Sequence, residues 1–291
     1  MDKLLHWSVA NSQGDAEAAK KAGQPDPKLL QQLFGGGPDE PALMKQAIVV
    51  ITNPEAELEA KLIAFDNFEM LIENLDNANN IENLKLWEPL IGVLQSPEPE
   101  LRAFALSVIG TAVQNNAKSQ ENFLKYEHGL PQLIKIAKDA NEKTDVRTKA
   151  FYALSNLVKH NADSYAQFDK HHGLDVIAPV LCDPKATDKL KLRVLALTTA
   201  LMTSTTINET FMATLRKENI MQTVLKFLHC GSNIYIVDKV LNFLSQLINA
   251  AEKFSESEIT ELKSSLQDIE SIKERLNEDD YQTVKLAIDQ Y

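Results

Sequence analysis

The chain has 291 residues, of which 41 are acidic and 30 are basic, and its net charge is −11. Its hydrophobic content of 44% is enough for a packed interior, which argues against a wholly disordered chain. Binding to a nucleic-acid backbone requires clustered lysine and arginine, so the acidic balance and the lack of any such cluster exclude nucleic acid as the expected partner.

Residues 1–40 differ in composition from the rest and are predicted to form a flexible N-terminal arm. Breaker residues at positions 22–27 and the run GGGP at 35–38 isolate a short apolar stretch, KLLQQLF. Helices this short are marginal in water, so the stretch has no assured place in a core. Its apolar side chains are Leu29, Leu30, Leu33 and Phe34. Two interpretations stay open: they dock on the end of the folded part, or they bind another molecule.

The beginning of the chain lacks the features of a secretory signal, because MDKLLHWSVANSQGD has no basic region followed by a long apolar run. No stretch approaches the roughly 20 apolar residues of a membrane span. The two cysteines, Cys182 and Cys230, are far apart and lack CxxC spacing, which favours reduced thiols. These features predict a cytoplasmic protein with no membrane partner.

From Pro41 to about residue 250 the chain repeats a helical unit. Three segments align: LRAFALSVIGTAVQNNAKSQENF (101–123), VRTKAFYALSNLVKHNADSYAQF (146–168) and LRVLALTTALMTSTTINETF (192–211). Arg102, Arg147 and Arg193 share one position in them, at intervals of 45 and 46 residues (147 − 102 and 193 − 147). A fixed period of this size marks a solenoid, whose units bury their apolar faces against one another. The apolar spacing is helical and never strand-like, so an all-α fold is predicted.

Each unit is predicted to contain a long helix, an asparagine-rich step, a shorter helix and a final apolar helix. The steps contain Asn77, Asn115, Asn116 and Asn161, and the predicted glycine stops before the final helices are Gly129 and Gly173. Asn53 is predicted to cap a helix whose first turn contains Pro54.

Three helices per unit and the string ALSNL at 153–157 resemble the armadillo repeat. About four armadillo-like repeats are expected within residues 41–250, starting near residue 58. The amide of Asn156 can hold the backbone of a neighbouring loop or of a bound chain. Residues 251–291 are acidic but keep helical apolar spacing, which predicts the polar-faced helical cap that a solenoid needs.

Nothing in the sequence predicts an enzyme, a cofactor or a metal site. The six histidines lack metal-ligand spacing, and no phosphate-binding or nucleophile motif appears. A receptor for extended basic peptides would need tryptophan and asparagine recurring on the long helices. Asn156 fits that pattern, but Trp87 lies on a different helix, so the array is missing.

Two features predict a surface that contacts a partner. Residues 73–80, ENLDNANN, form a dense polar step, which is either a solvated turn or a rim that presents carboxylates and amides. The arginine column of Arg102, Arg147 and Arg193 is either a set of first-turn residues paired with local acids or an exposed ridge. Arginine is enriched at interface hot spots, which favours the ridge.

Four segments together resemble the fungal members of the Fes1/Hsp70-binding-protein family. They are MDKLLHWSVANSQGD, QPDPKLLQQLFGG, DNFEMLIENLDNANNIENLKLWEPL and IGTAVQNNAKSQ. This family consists of armadillo-type nucleotide exchange factors of Hsp70 chaperones, and the resemblance covers essentially the whole chain.

The resemblance implies a monomeric protein that binds the nucleotide-binding domain of a cytosolic Hsp70 and accelerates ADP release. It also implies that the arm promotes substrate release, a role for which the stretch with Leu29, Leu30, Leu33 and Phe34 is chemically suited. The residues expected on the chaperone-binding face are Glu73, Asp76, Asn77, Ala78, Arg102, Arg147 and Arg193. A general armadillo adaptor remains the alternative.

Overall fold

The computed structural model describes residues 39–250 and 252–291, and in these ranges it contains sixteen α-helices and no strand. The helices are α1 (Glu40–Thr52), α2 (Leu58–Ile72), α3 (Leu75–Asn83), α4 (Trp87–Val93), α5 (Pro99–Val113), α6 (Ala117–Leu124), α7 (Gly129–Lys138), α8 (Thr144–Val158), α9 (Ala162–Lys170), α10 (Ile177–Cys182), α11 (Asp188–Met202), α12 (Glu209–Lys217), α13 (Ile220–Leu225), α14 (Ile234–Asn249), α15 (Glu256–Ile269) and α16 (Glu278–Ile288). Two 3-10 helices, Gly173–Val176 and Glu270–Arg275, precede α10 and α16. The predicted all-α fold is confirmed.

The chain divides into two compact units, Met1–Leu43 and Met44–Tyr291. Of the first unit the structure describes residues 39–43, where α1 begins and the Asp39 side chain accepts a hydrogen bond from the Ala42 N–H at 3.1 Å. The second unit contains the repeats and the C-terminal helices together, so the predicted division at residue 250 stays a prediction. No helix in the described ranges is long and apolar enough to cross a membrane.

The second unit is built on a series of long helices that pack one against the next. Four of them, α2, α5, α8 and α11, have 15 residues each, and α14 has 16. Each long helix contacts the following one, and α16 packs against α14 at the end of the series. Two shorter helices follow each of the first four long helices, which gives four complete three-helix units, as the armadillo-like interpretation predicts. Stacking buries their apolar faces in one continuous core.

Asparagine side chains begin the second helix of each unit. Asn116, Asn161 and Asn208 cap α6, α9 and α12 by accepting hydrogen bonds from the backbone N–H groups of Ser119, Ser164 and Phe211 at 3.2, 2.9 and 3.0 Å. Such caps satisfy N–H groups that have no partner within a helix. The asparagine-rich steps of the sequence are therefore helix starts.

The predictions for three helix ends, at Asn53, Gly173 and Gly129, are wrong. Asn53 does not start a helix, because it follows α1 and its side chain accepts the Glu55 N–H in a turn, while α2 begins at Leu58. Gly173 is not a left-handed stop: the left-handed residue is His172, with φ of 57°. Gly129 likewise lies outside the left-handed region and opens α7.

The glycine at 173 is instead required by close packing. A Cβ built there would overlap the ring of Phe168, which is completely buried. Gly129 is similar, since a Cβ there would lie 2.9 Å from the ring of Phe123. The two Gly–Leu pairs therefore let the next helical turn start directly against the aromatic ring of the preceding helix.

Gly173→Ala is expected to lower the midpoint of thermal unfolding, because overpacking a core contact of this kind costs about 1–3 kcal/mol. Gly92→Ala is the matched control, since nothing lies within 4 Å of a Cβ at that position of α4. Thermal unfolding followed by circular dichroism compares the two. Equal midpoints for the two variants would show that the Phe168 ring does not dictate the glycine.

The C-terminal helices are joined to the repeats by a polar contact. Ser255 and Glu258 form a capping box at the start of α15. The Glu258 carboxylate also accepts two hydrogen bonds from the Arg216 guanidinium of α12, each at 2.9 Å. Burial acts to raise the pKa of Glu258, but the hydrogen bonds from Arg216 and from the Ser255 N–H outweigh it and lower that pKa. The acidic cap is therefore an integral end of the stack.

Candidate partner-binding surface

The polar step at residues 73–80 contains a break between two helices. The α2 helix ends at Ile72, and Asn74 caps α3 by accepting the N–H of Asp76 at 2.9 Å. Asp76 thus lies in the first turn of a helix, where the macrodipole favours a negative charge. Glu73 and Asp76 are both exposed. These two carboxylates are available to a partner.

The other two residues predicted in this step are buried. The Asn77 side chain, 4% exposed, donates a hydrogen bond to the Leu71 carbonyl at 2.9 Å and so ties the start of α3 to the end of α2. Ala78 is 3% exposed, and its carbonyl accepts a hydrogen bond from the Ser119 hydroxyl of the next unit at 3.3 Å. The expectation that Ala78 lies on the rim is wrong, because its side chain faces the core.

Arg102 joins two neighbouring units. Its guanidinium makes a bidentate contact with the Glu142 carboxylate, with nitrogen–oxygen distances of 2.8 and 2.7 Å. It also donates to the carbonyls of Ser96 and Pro97 at 2.7 and 3.0 Å. With its hydrogen bonds made within the fold and its side chain 16% exposed, Arg102 is a structural residue.

Arg147 occupies the corresponding place one unit later. Its side chain is 5% exposed, and it lies between the Ala137 carbonyl, at 3.3 Å, and the Asp183 carboxylate, at 3.5 Å. The contact helps to lower the pKa of Asp183, although the hydrogen bond from the Lys185 N–H is the larger cause. Arg147 is buried, so the expected ridge of three arginines does not exist.

Arg193 departs from this pattern. It is exposed, and its guanidinium carbon lies 5.0 Å from the centre of the Tyr152 ring on the preceding long helix. The loop between α13 and α14 contains Lys226, Phe227, Leu228, His229, Cys230, Gly231, Ser232 and Asn233, with no acid at the place of Glu142 or Asp183. Arg193 has no carboxylate partner among the described residues. Of the predicted column, this arginine alone presents its charge to solvent.

Tyr152, which sequence reasoning missed, fixes the surroundings of Arg193. Its hydroxyl lies 3.3 Å from that of Thr111 and donates to the Gln114 side chain at 3.2 Å. Its ring packs so closely on α5 that a Cβ at Gly110 would overlap it. The glycine within IGTAVQ was a signal of this close approach, since a helix interior otherwise disfavours glycine.

Hydrogen bonds and ring contacts connect the long helices across this face. The Glu69 carboxylate of α2 accepts from the hydroxyls of Ser107 and Thr111 on α5, at 2.7 and 2.9 Å. The Lys149 ammonium of α8 donates to Ser107 at 2.9 Å. We call Glu69, Ser107, Thr111, Lys149, Tyr152 and Arg193 the polar belt. It extends over four consecutive long helices, and Glu73 follows Glu69 by four residues at the end of α2.

Asn156 holds the backbone of a neighbouring helix, where the sequence predicted the backbone of a neighbouring loop or of a bound chain. Its side-chain amide donates to the Gly110 carbonyl of the preceding long helix at 3.2 Å. The backbone of Asn156 is in turn held by Gln120, which donates to the Asn156 carbonyl at 2.8 Å. The asparagine therefore ties its own unit to the preceding one.

The other predictions from the sequence concern the N-terminal arm, metal binding and the two cysteines. Leu29, Leu30, Leu33 and Phe34 lie outside the described residues. In the part of the chain that the structure describes, no group of histidine, cysteine and carboxylate side chains could hold a metal ion. Cys182 and Cys230 are exposed free thiols, and Cys230 donates to the Asp268 side chain at 3.4 Å.

Comparison with known proteins identifies the family. The family model described as nucleotide exchange factor Fes1 matches residues 1–81, and the SIL1/FES1/HPBP1 C-terminal domain model matches residues 77–222. A Kluyveromyces lactis protein named Hsp70 nucleotide exchange factor FES1 is 62% identical over 285 residues, which cover 98% of this chain and 99% of that protein. The chain belongs to the Fes1 family.

Other Fes1 proteins match over similar lengths. The Hsp70 nucleotide exchange factor FES1 of Saccharomyces cerevisiae is 59% identical, with 99% of this chain and 100% of that protein covered. The Yarrowia lipolytica protein of the same name is 38% identical over 96% of this chain and 95% of its own length. The predicted family is thus confirmed along nearly the whole sequence.

Solved structures confirm the armadillo architecture of this Fes1 family member. A designed armadillo repeat protein in complex with the peptide (KR)4 superposes with a TM-score of 0.65, at 14% identity, over 84% of this chain and 98% of the designed one. A computationally designed armadillo repeat protein for modular peptide recognition gives the same TM-score and identity over 85% of this chain and 99% of its own. At this identity the likeness concerns the fold alone.

Proposed function

We propose that this chain is a nucleotide exchange factor for a cytosolic Hsp70 and accelerates ADP release by binding the chaperone's nucleotide-binding domain. The observation that carries the proposal is the near-complete alignment, at 59–62% identity, with two proteins named for that activity. Such a factor performs no chemical step and needs no cofactor. The arrangement of exposed charges on stacked helices suits an activity that consists of binding alone.

The proposed contact surface is the exposed part of the polar belt together with Glu73 and Asp76. Arg193 supplies a positive charge at the α11 end, supported by the Tyr152 ring, and the two carboxylates supply negative charge at the end of α2 and the start of α3. Asn77, Ala78, Arg102 and Arg147 hold the helices in place behind this surface. A partner that touches both ends of this surface has to span several repeats. A folded domain can do this, whereas a small molecule cannot.

The proposed mechanism is a shift between two states of the chaperone. A factor changes nucleotide release only if it binds the state with the open nucleotide cleft more tightly than the closed state. By linkage, bound ADP weakens the binding of the factor by the same ratio by which the factor weakens the binding of ADP. The predicted role of the arm in substrate release belongs to the same proposal and rests on the resemblance of residues 1–40.

A chase of fluorescent ADP from full-length cytosolic Hsp70 tests the proposal. With this chain present, the affinity for ADP is expected to fall about 5- to 150-fold, the usual range for coupled sites, and dissociation should be correspondingly faster. Stopped-flow fluorescence measures the rate, and heat-denatured chain is the control. Binding without faster release would favour a general armadillo adaptor, and no binding would reject both functions.

A further inference from the structure

Six of the nine exposed large hydrophobic side chains among the described residues lie between Leu43 and Leu75, on α1, α2 and α3. Ile63 and Met70 on α2 are 54% and 71% exposed, and Leu75 at the start of α3 is 58% exposed. Between residues 76 and 234, all of which the structure describes, no large hydrophobic side chain is exposed. A surface this uneven calls for an explanation, because apolar side chains grouped at one place mark an interaction site more often than scattered ones do.

These side chains do not belong to the core of the repeat. The buried side of α2 is formed by Ala64, Phe65, Phe68 and Ile72. Met70 follows Ile63 by seven residues, two helical turns, so both lie on the opposite face. We call Ile63, Met70 and Leu75 the apolar ridge. A capping repeat normally has a polar outer face, and the first repeat does not follow that rule.

Carboxylates border the apolar ridge. Glu59, Asp66 and Glu73 are exposed on the same helical face as Ile63 and Met70, since each is three or four residues from one of them. Asp76 follows Leu75 directly and is also exposed. The complement of this surface is an apolar patch bordered by lysine or arginine.

We infer that the apolar ridge is a second docking surface for the same Hsp70 chaperone, and that it receives an apolar patch flanked by basic side chains. The inference rests on the proposed function. It is supported by the continuity of the ridge with Glu73 and Asp76, the carboxylates already assigned to the contact surface.

The double substitution Ile63→Gln and Met70→Gln tests the ridge. Glutamine is a good helix former and both side chains are exposed, so the thermal midpoint should not change. The dissociation constant for full-length ADP-bound Hsp70, measured by titration calorimetry, is expected to rise at least tenfold. Leu286→Gln is the matched control, because Leu286 on α16 is 61% exposed and lies at the other end of the chain.

An unchanged dissociation constant for the double variant, with wild-type chain still accelerating ADP release, would overturn the ridge and leave the proposed function standing. If wild-type chain neither binds the chaperone nor accelerates release, both fail. Light scattering after size exclusion examines a second copy as the occupant. A wild-type dimer that the double substitution converts to a monomer would also overturn the inference, whereas monomers in both cases support it.

Discussion

Replacing Arg193 with alanine is expected to remove most of the acceleration of ADP release while leaving the fold intact. The guanidinium is exposed over the Tyr152 ring and has no carboxylate partner among the described residues, so its loss removes one cation–π contact between units and no ion pair. Truncating an arginine at an interface hot spot costs about 2 kcal/mol. The affinity for the chaperone should therefore fall about 30-fold.

The measurement is the fluorescent-ADP chase as a function of the concentration of the chain, since a weaker interaction shifts the curve to higher concentration. Arg275→Ala is the control, because it removes an exposed arginine from the C-terminal part of the molecule. Circular dichroism should give the same spectrum and thermal midpoint for wild type and both variants. If the Arg193 variant follows the wild-type curve, the chaperone does not contact this side chain.

The substitution Arg193→Lys distinguishes the contribution of the positive charge to chaperone binding from that of the planar guanidinium. Lysine keeps the positive charge but loses the planar guanidinium that lies over Tyr152. An intermediate shift of the curve is the expected result, because both the charge and the stacked geometry contribute to binding. A lysine variant as active as wild type would mean that charge alone is recognised.

The helices were predictable from the sequence because each repeat must bury the same stripe. Arg102, Arg147 and Arg193 all lie in or near the first turns of long helices of equal length, so the period predicted the stack without any knowledge of contacts. The position of each helix along the chain follows from apolar spacing. The role of an individual residue, structural or partner-binding, does not follow from that spacing.

The arginine column shows why. Arg102 and Arg147 are paired with acids from the next unit, Glu142 and Asp183, which lie 40 and 36 residues further along the chain. The acids considered from sequence were close neighbours, and these are not the partners. An acid is missing from the corresponding loop before α14, which leaves Arg193 exposed. Arginine at this repeat position is therefore structural in two units, at Arg102 and Arg147, and exposed in the third, at Arg193.

The prediction that residues 73–80 form an exposed rim was partly wrong for a different reason. The capping residue is Asn74, three positions before Asn77, so α2 stops earlier than its helical pattern suggests. A shift of this size moves Asn77 and Ala78 from the rim to the interior. Boundaries are the least reliable part of a helix prediction. Here the position of one boundary, the end of α2, decides whether the Asn77 and Ala78 side chains are exposed or buried.

Replacing Arg102 with alanine should have the opposite outcome to the change at Arg193. The Arg102–Glu142 pair is largely buried, with side-chain exposures of 16% and 10%, and it connects two units. Removing one partner of such a pair leaves the other without compensation and costs about 3 kcal/mol. The midpoint of urea unfolding should fall, while ADP release per folded molecule stays at the wild-type level at low temperature.

A double-mutant cycle with Glu142→Ala identifies the origin of this cost. If the loss comes from an uncompensated charge, removing both partners restores part of the stability, and the coupling energy lies between about 0.5 and 3 kcal/mol. Arg102→Ala also removes the hydrogen bonds to the Ser96 and Pro97 carbonyls. If those bonds account for its whole cost, the stability losses of the two single variants add in the double variant. Strictly additive costs would show that those carbonyl contacts, and not the ion pair, hold the two repeats together. Loss of exchange activity by the folded Arg102 variant would return this arginine to the contact surface.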